Sequence, residues 1–180
     1  MLIIHQGIVD PSISFLQVLY EGLEDARCLC GSESRNQVND ILFHLLPGEP
    51  VMLLGHGTDA GLFRLEGGEY RCYIGRSMAY CLRKHPIIGI WCHANKFAEQ
   101  LHLHGVFTGM IISEYDEALQ EGIHTSPAEL EQENRLFAST LSELLRTSLP
   151  YSEIPARMRE AVGANDPAVR QFNYNSFYYL

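Results

Sequence analysis

The sequence contains no apolar run approaching the roughly 20 residues that a membrane helix needs, so no spanning segment is expected. It has no excess of basic residues: 13 lysines and arginines stand against 22 aspartates and glutamates, a formal net charge of −9. That balance argues against nucleic acid and anionic membrane as partners. There is no C-x-x-C pair, and the five cysteines are odd in number and irregularly spaced. Neither a disulfide framework nor a zinc site is expected from them, and Cys28, Cys30, Cys72 and Cys81 read as small buried hydrophobes. The start, MLIIHQGIVD, has no basic stretch and too short an apolar run for a secretory signal, so a cytoplasmic protein is expected. Internal repeats, linkers and low-complexity tracts are also missing.

What remains is ordinary globular composition, 46% hydrophobic and 19% charged over 180 residues, enough for one domain with a sizeable core. Short continuous apolar runs (LIIH at 2–5, ARCLCG at 26–31, VMLLG at 51–55, IIGIW at 87–91, VFTGMIIS at 106–113) read as strands. Helical periods lie between most of them. Residues 10–23 carry Asp10 or Ser12 as a cap and apolar positions at Ile13, Leu16, Leu19 and Leu23. A helix starts near Ser34 and stops before Pro47, and Arg76–His85 forms a short one. Residues 94–105 form another, ended by Gly105. Between strands three and four, GLFRLEGGEYRCYIG reads as a hairpin turning at Gly67–Gly68. From about residue 126 the chain is helical, with Ser126 as N-cap and Pro127 in the first position over 126–149, and a further helix in IPARMREAV. The end, QFNYNSFYYL, is open between an added strand, a homo-oligomer contact and a loose tail. Strands buried on both faces and alternating with helices predict one three-layer α/β domain, a mostly parallel sheet with helices on both faces.

Two stretches share a grammar. VMLLGHG runs a strand into His56, and PIIGIWCHAN runs one into Cys92. In open α/β sheets ligands gather at the carboxyl ends of the strands, and neighbouring strands lie about 5 Å apart. A thiol nucleophile and its base would meet there. The helix following Cys92 should lower the thiol pKa. The N–H groups of Gly57 and Cys92 are candidates for an oxyanion hole.

Strand then His-Gly, followed by strand then Cys, a helix, another strand and an acidic D-E-A segment, resembles the caspase-like cysteine peptidases, and CHAT-type domains most. The likeness covers about residues 50–120. The resemblance implies a caspase-like fold and hydrolysis of a peptide or protein substrate without a cofactor or metal. His56 would be the general base and acid and Cys92 the nucleophile. Asp59, Trp91, Ser113, Glu114 and Asp116 are assigned to the substrate pocket. The chain departs from the family at Trp91, where the residue is usually small, and at His93-Ala94-Asn95, which replaces a small-Gly pair.

Three other readings compete. The fold could persist as an inactive binding or signalling module. Gly75-Arg76-Ser77-Met78-Ala79 is one residue short of a serine-hydrolase elbow, with Asp116 and His124 following in order. A zinc hydrolase would draw on His56, Cys92 and His93, since His102 and His104 on a helix would not share a face.

Overall fold

The computed structural model describes residues 1–147 and 149–180. In chain order the elements are β1 (Leu2–His5), β2 (Arg27–Leu29), α1 (Arg35–His44), β3 (Val51–Leu54), β4 (Gly57–Thr58), β5 (Gly61–Glu66), β6 (Glu69–Gly75), α2 (Ala79–Leu82), β7 (Pro86–Ile90), α3 (Ala94–Leu101), β8 (His104–Thr108), α4 (Tyr115–Gln120), α5 (Pro127–Arg146), α6 (Ile154–Glu160), α7 (Ala168–Asn175) and β9 (Phe177–Tyr179). The main sheet has the order β2-β1-β3-β7-β8-β9. All its pairings are parallel except that of β8 with β9. A second, antiparallel sheet, β4-β5-β6, is inserted between β3 and α2.

Alternation along the central strands divides the apolar side chains between two cores, because successive residues of a strand face opposite sides. Leu2, Ile4, Val51, Leu53 and Ile87 join one cluster with Val38 and Leu42 of α1 and Phe97 and Leu101 of α3. Ile3, Met52, Leu54, Ile88 and Ile90 join the other with Phe137 and Leu141 of α5, Met158 of α6 and Tyr174 of α7. The helices after residue 126 therefore supply one of the two covering layers.

Local chemistry accounts for most boundaries. Ser34 caps α1 in a reciprocal box with Gln37, and Ser126 caps α5, whose first residue is Pro127. The hairpin turns at Gly67 and Gly68, both at positive φ. Four expectations are corrected. Residues 14–19 form a 3-10 turn instead of an α-helix. Helix α3 ends at Leu101 because His102 adopts the left-handed conformation, φ 53, and Leu103 N–H reaches back to the Ala98 carbonyl at 3.0 Å. Gly105 is then a strand residue at φ +138, where an added Cβ would lie 1.9 Å from the Ile87 carbonyl. The long helix stops at Arg146, and Ser148 lies outside the described residues. Finally, Cys28 and Cys30 are exposed and joined in a disulfide with Cα atoms 5.9 Å apart. Residues two apart on a strand share a face, which is what brings the two sulfurs together.

The aromatic end resolves into α7 and β9. Phe177 is buried, while Tyr178 and Tyr179 remain exposed on the outer strand. No helix among the described residues is long and apolar enough to cross a membrane.

His5 closes β1 with its ring buried, Nδ1 at 2.9 Å from the Tyr20 hydroxyl and Nε2 without a partner. Burial pushes its pKa down from 6.5 to about 4, the Ile13 backbone only partly offsetting this. Between these values the unfolded chain binds a proton that the folded chain does not. The stabilisation is therefore whole above pH 6.5 and lost as the pH falls through 4, about 3 kcal/mol in all. Urea midpoints between pH 7 and 4 should show this slope in wild type and a shallower one in His5→Gln. Equal slopes would show that His5 is not the source.

Candidate functional site

The β3–β7 register pairs Leu54 with Ile90, and the Gly55 N–H continues the ladder to the Ile90 carbonyl at 3.2 Å. Two residues further on each strand come His56 and Cys92. They therefore leave adjacent parallel strands at one level on the carboxyl edge of the sheet. Cys92 packs with the core that holds Ile90 and Ile111. The residue after it, His93, is left-handed at φ 67 and is the N-cap of α3. Non-glycine residues held at positive φ concentrate at functional sites. Here the strain marks a sharp strand-to-helix turn directly beside the thiol.

His56 is held at one nitrogen. Ser12 Oγ lies 3.0 Å from Nε2, and Asp10 Oδ2 lies 3.3 Å from it. A serine hydroxyl has one hydrogen, and Ser12 gives it to Asp10 Oδ1 at 2.7 Å, the Ser12 N–H donating to the same oxygen at 3.0 Å. Nε2 must then be the donor in its own contacts. In the neutral ring this leaves the lone pair on Nδ1, the tautomer a general base needs. Partial burial pushes the Asp10 carboxyl up, but the two Ser12 hydrogen bonds and the imidazole outweigh it, and its pKa lies below the ordinary value. The ring also meets Tyr70 edge-on, centroids 5.4 Å apart. Gln6, Arg64 and Tyr70 join Asp10 and His56 around a cleft of about 440 Å3.

Neither Asp10 nor Ser12 was assigned to the site from sequence, where both read as helix caps. The available signal was position: the segment after β1 reaches the same sheet edge as the segment after β3, and β1 is β3's neighbour. Glu114, expected in the pocket, is brought to the cluster. Its carboxylate, the Asp10 carboxylate and the His56 ring offer ligand atoms all within 4.8 Å of one another. Ser113 is buried, and its N–H and Oγ donate to Glu117 Oε2 at 2.8 and 3.3 Å. Asp116 sits exposed in the first turn of α4.

Trp91 and Asp59 lie elsewhere. Trp91 is fully buried, and its indole N–H donates to the Thr58 carbonyl at 3.0 Å. Asp59 faces another cavity, with Arg35, Arg76 and Gln100. Gly57 is in β4, paired with Leu62. An added Cβ there would meet Trp91 Cδ1 at 2.3 Å, so packing alone requires glycine. Ser77 Oγ accepts from Arg35 at 2.9 Å in that same second cavity, away from the His56 cluster.

The helix N-terminus does not lower the Cys92 thiol. Burial pushes it up to about 11, and the Glu117 and Glu114 carboxylates add to the rise. The thiol donates to the Ile111 carbonyl at 3.4 Å. Desolvation of the charged form is the largest cause of the rise. Iodoacetamide alkylation of Cys92, followed by peptide mass spectrometry, should keep accelerating to about pH 11. A plateau below the unperturbed value of about 8.5 would show that the thiol is not desolvated.

No protein-family model and no curated protein matches the chain.

Proposed function

We propose that the chain is a caspase-like α/β domain that hydrolyses peptide bonds through Cys92 and His56, with Asp10 as the positioning residue. The reading is carried by one observation: hydrogen bonding fixes His56 with Nδ1 basic, at strand level with Cys92. On this reading the thiol rests neutral and is deprotonated by His56 as it attacks the carbonyl. The same proton then passes to the leaving amine. The Cys92 N–H makes no hydrogen bond among the described residues and is the first candidate donor to the oxyanion, with Gly57 as the second. Glu114 borders the reacting atoms. The buried, neutral thiol supports a second reading, in which the same fold serves as a binding module without chemistry.

A set of peptidyl acyloxymethyl ketones with varied terminal residues separates them. The peptidase reading expects covalent capture of Cys92, slowed roughly 100-fold or more in His56→Ala, as loss of a general base implies, and by a smaller factor in Asp10→Asn. Capture indifferent to His56, or a Cys92 that no peptide labels while iodoacetamide still does, would overturn it and leave the binding module.

A further inference from the structure

Asp10, His56 and Glu114 come from three segments, following β1, β3 and β8. All three follow the carboxyl ends of parallel strands, where α/β sheets collect their ligands. Their ligand atoms converge to within 4.8 Å. A divalent ion bound at about 2.0–2.2 Å to nitrogen and oxygen holds its ligands roughly 3–3.5 Å apart. The His56 Nε2 to Asp10 Oδ2 distance is already 3.3 Å. Glu114 is exposed, so side-chain rotation would have to close the rest.

A second observation comes from a neighbouring residue, Asn134. Asp10, Ser12 and Glu114 also line a cleft of about 660 Å3, together with Glu131 and Asn134. No lysine or arginine lines this cleft among the described residues, and Arg64 lines the adjoining cleft that Asp10 shares with His56. Asn134 is 7% exposed, and its Nδ2 donates to the Ser113 carbonyl at 3.0 Å. Its side-chain carbonyl oxygen is buried and has no partner. A buried acceptor without a donor is costly. Asn134 lines the same cleft as Asp10 and Glu114, and a water there, free or held by a cation, would supply the missing donor.

We propose that Asp10, His56 and Glu114 bind a divalent first-row transition ion, with zinc and manganese ahead of magnesium and calcium. One imidazole nitrogen with two carboxylate oxygens is a borderline donor set, and the imidazole selects against the hard, oxygen-only ions. With a neutral ring the two carboxylates carry a charge of −2, which the ion neutralises. Three protein ligands leave positions open to water, as in reactive or regulatory sites and unlike closed structural ones. The ion takes the place of the proton on His56 Nε2 and leaves the ring's hydrogen on Nδ1. If His56 serves Cys92 as base through Nδ1, metal binding switches that chemistry off. The metal site itself does not rest on the peptidase reading.

The test is metal uptake, without reference to activity. Chelator-stripped chain is titrated with Zn2+, and separately with Mn2+ and Mg2+, against a chromophoric competitor, and the histidine ring resonances are followed by NMR. The expected result is one equivalent of Zn2+ with the His56 resonances shifted. Affinity should fall roughly 100-fold or more in His56→Ala and at least about 10-fold in Glu114→Gln and Asp10→Asn, comparable to or above the losses seen for outer-shell partners. Cys28→Ser with Cys30→Ser, and His102→Ala, should leave it unchanged. Circular dichroism checks each fold. Glu114→Gln alters an exposed residue and decides the matter if either other variant unfolds. No uptake by the wild-type chain, uptake indifferent to Glu114→Gln, or uptake lost only with the cysteines or His102, would overturn the proposal.

Discussion

Arg170→Ala is expected to destabilise the fold by about 3–5 kcal/mol, the usual cost of stripping the partner from a buried ion. Glu133 on α5 is 3% exposed. Arg170 on α7 approaches it with a two-pronged contact, Nε to Oε2 at 2.7 Å and Nη2 to Oε1 at 2.8 Å. A third donor, Nη1, reaches Asp166 at 3.1 Å. Donating to the Glu133 carboxylate holds the guanidinium pKa above its ordinary value against partial burial. Without Arg170 the Glu133 carboxylate is left in a desolvated seam with no counter-charge. Urea unfolding at pH 7 measures the loss. A double change, Glu133→Leu with Arg170→Met, should lose much less than the single one, since a buried pair is often replaceable by apolar groups. A single-variant loss below about 1 kcal/mol, the worth of an exposed pair, would show that solvent reaches Glu133.

Trp91→Ala is the second large effect, again about 3–5 kcal/mol. The indole is wholly buried. It packs edge-on against Phe97 of α3 with centroids 5.6 Å apart, and its N–H ties the Thr58 carbonyl at the start of the inserted hairpin sheet. Truncation leaves a cavity and an unpaired carbonyl together. It also loosens β4, which continues directly from His56. Trp91→Phe, which keeps most of the volume, should cost far less. For a chain of this size each kcal/mol lowers the melting temperature by roughly 2–4 °C, so calorimetry resolves the two variants. On the peptidase reading, peptide labelling of Cys92 should also fall in Trp91→Ala before global unfolding, because Tyr70 of the hairpin sheet packs edge-on against the His56 ring. Identical losses for the two variants would argue that packing volume is not what Trp91 contributes.

The sheet was legible because its central strands are continuous apolar runs. VMLL and IIGI have no polar face, so they had to be covered on both sides. Ser34, Ser126, Pro127 and Gly67–Gly68 marked boundaries through local chemistry alone. The positions of His56 and Cys92 on one edge followed from the same strand logic. The rest depends on tertiary context. His102 could not be read as a helix stop, since nothing in its neighbours requires a left-handed histidine. The alternating burial that joins Cys28 to Cys30 on one face also exposes them, whereas the short apolar context suggested burial. Asp10 looked like a cap because capping and holding an imidazole use the same carboxylate oxygens. The state of the Cys92 thiol depends on how deeply α3 and the Ile111 segment cover it, and no window of sequence carries that depth.

The pairing of β8 with β9 joins Thr108 to Phe177, and Gly105 exchanges hydrogen bonds with Leu180 at 2.9 and 3.1 Å. Nearly all the helical covering of one sheet face lies in the chain between these partners. Closing so long a loop early is entropically unfavourable, and non-local pairings of this kind slow folding. β9 is therefore expected to dock last, after α5 to α7 have condensed on the sheet. Until it does, β8 presents an unsatisfied edge, and the hazard in this fold's assembly is capture of that edge by another nascent chain.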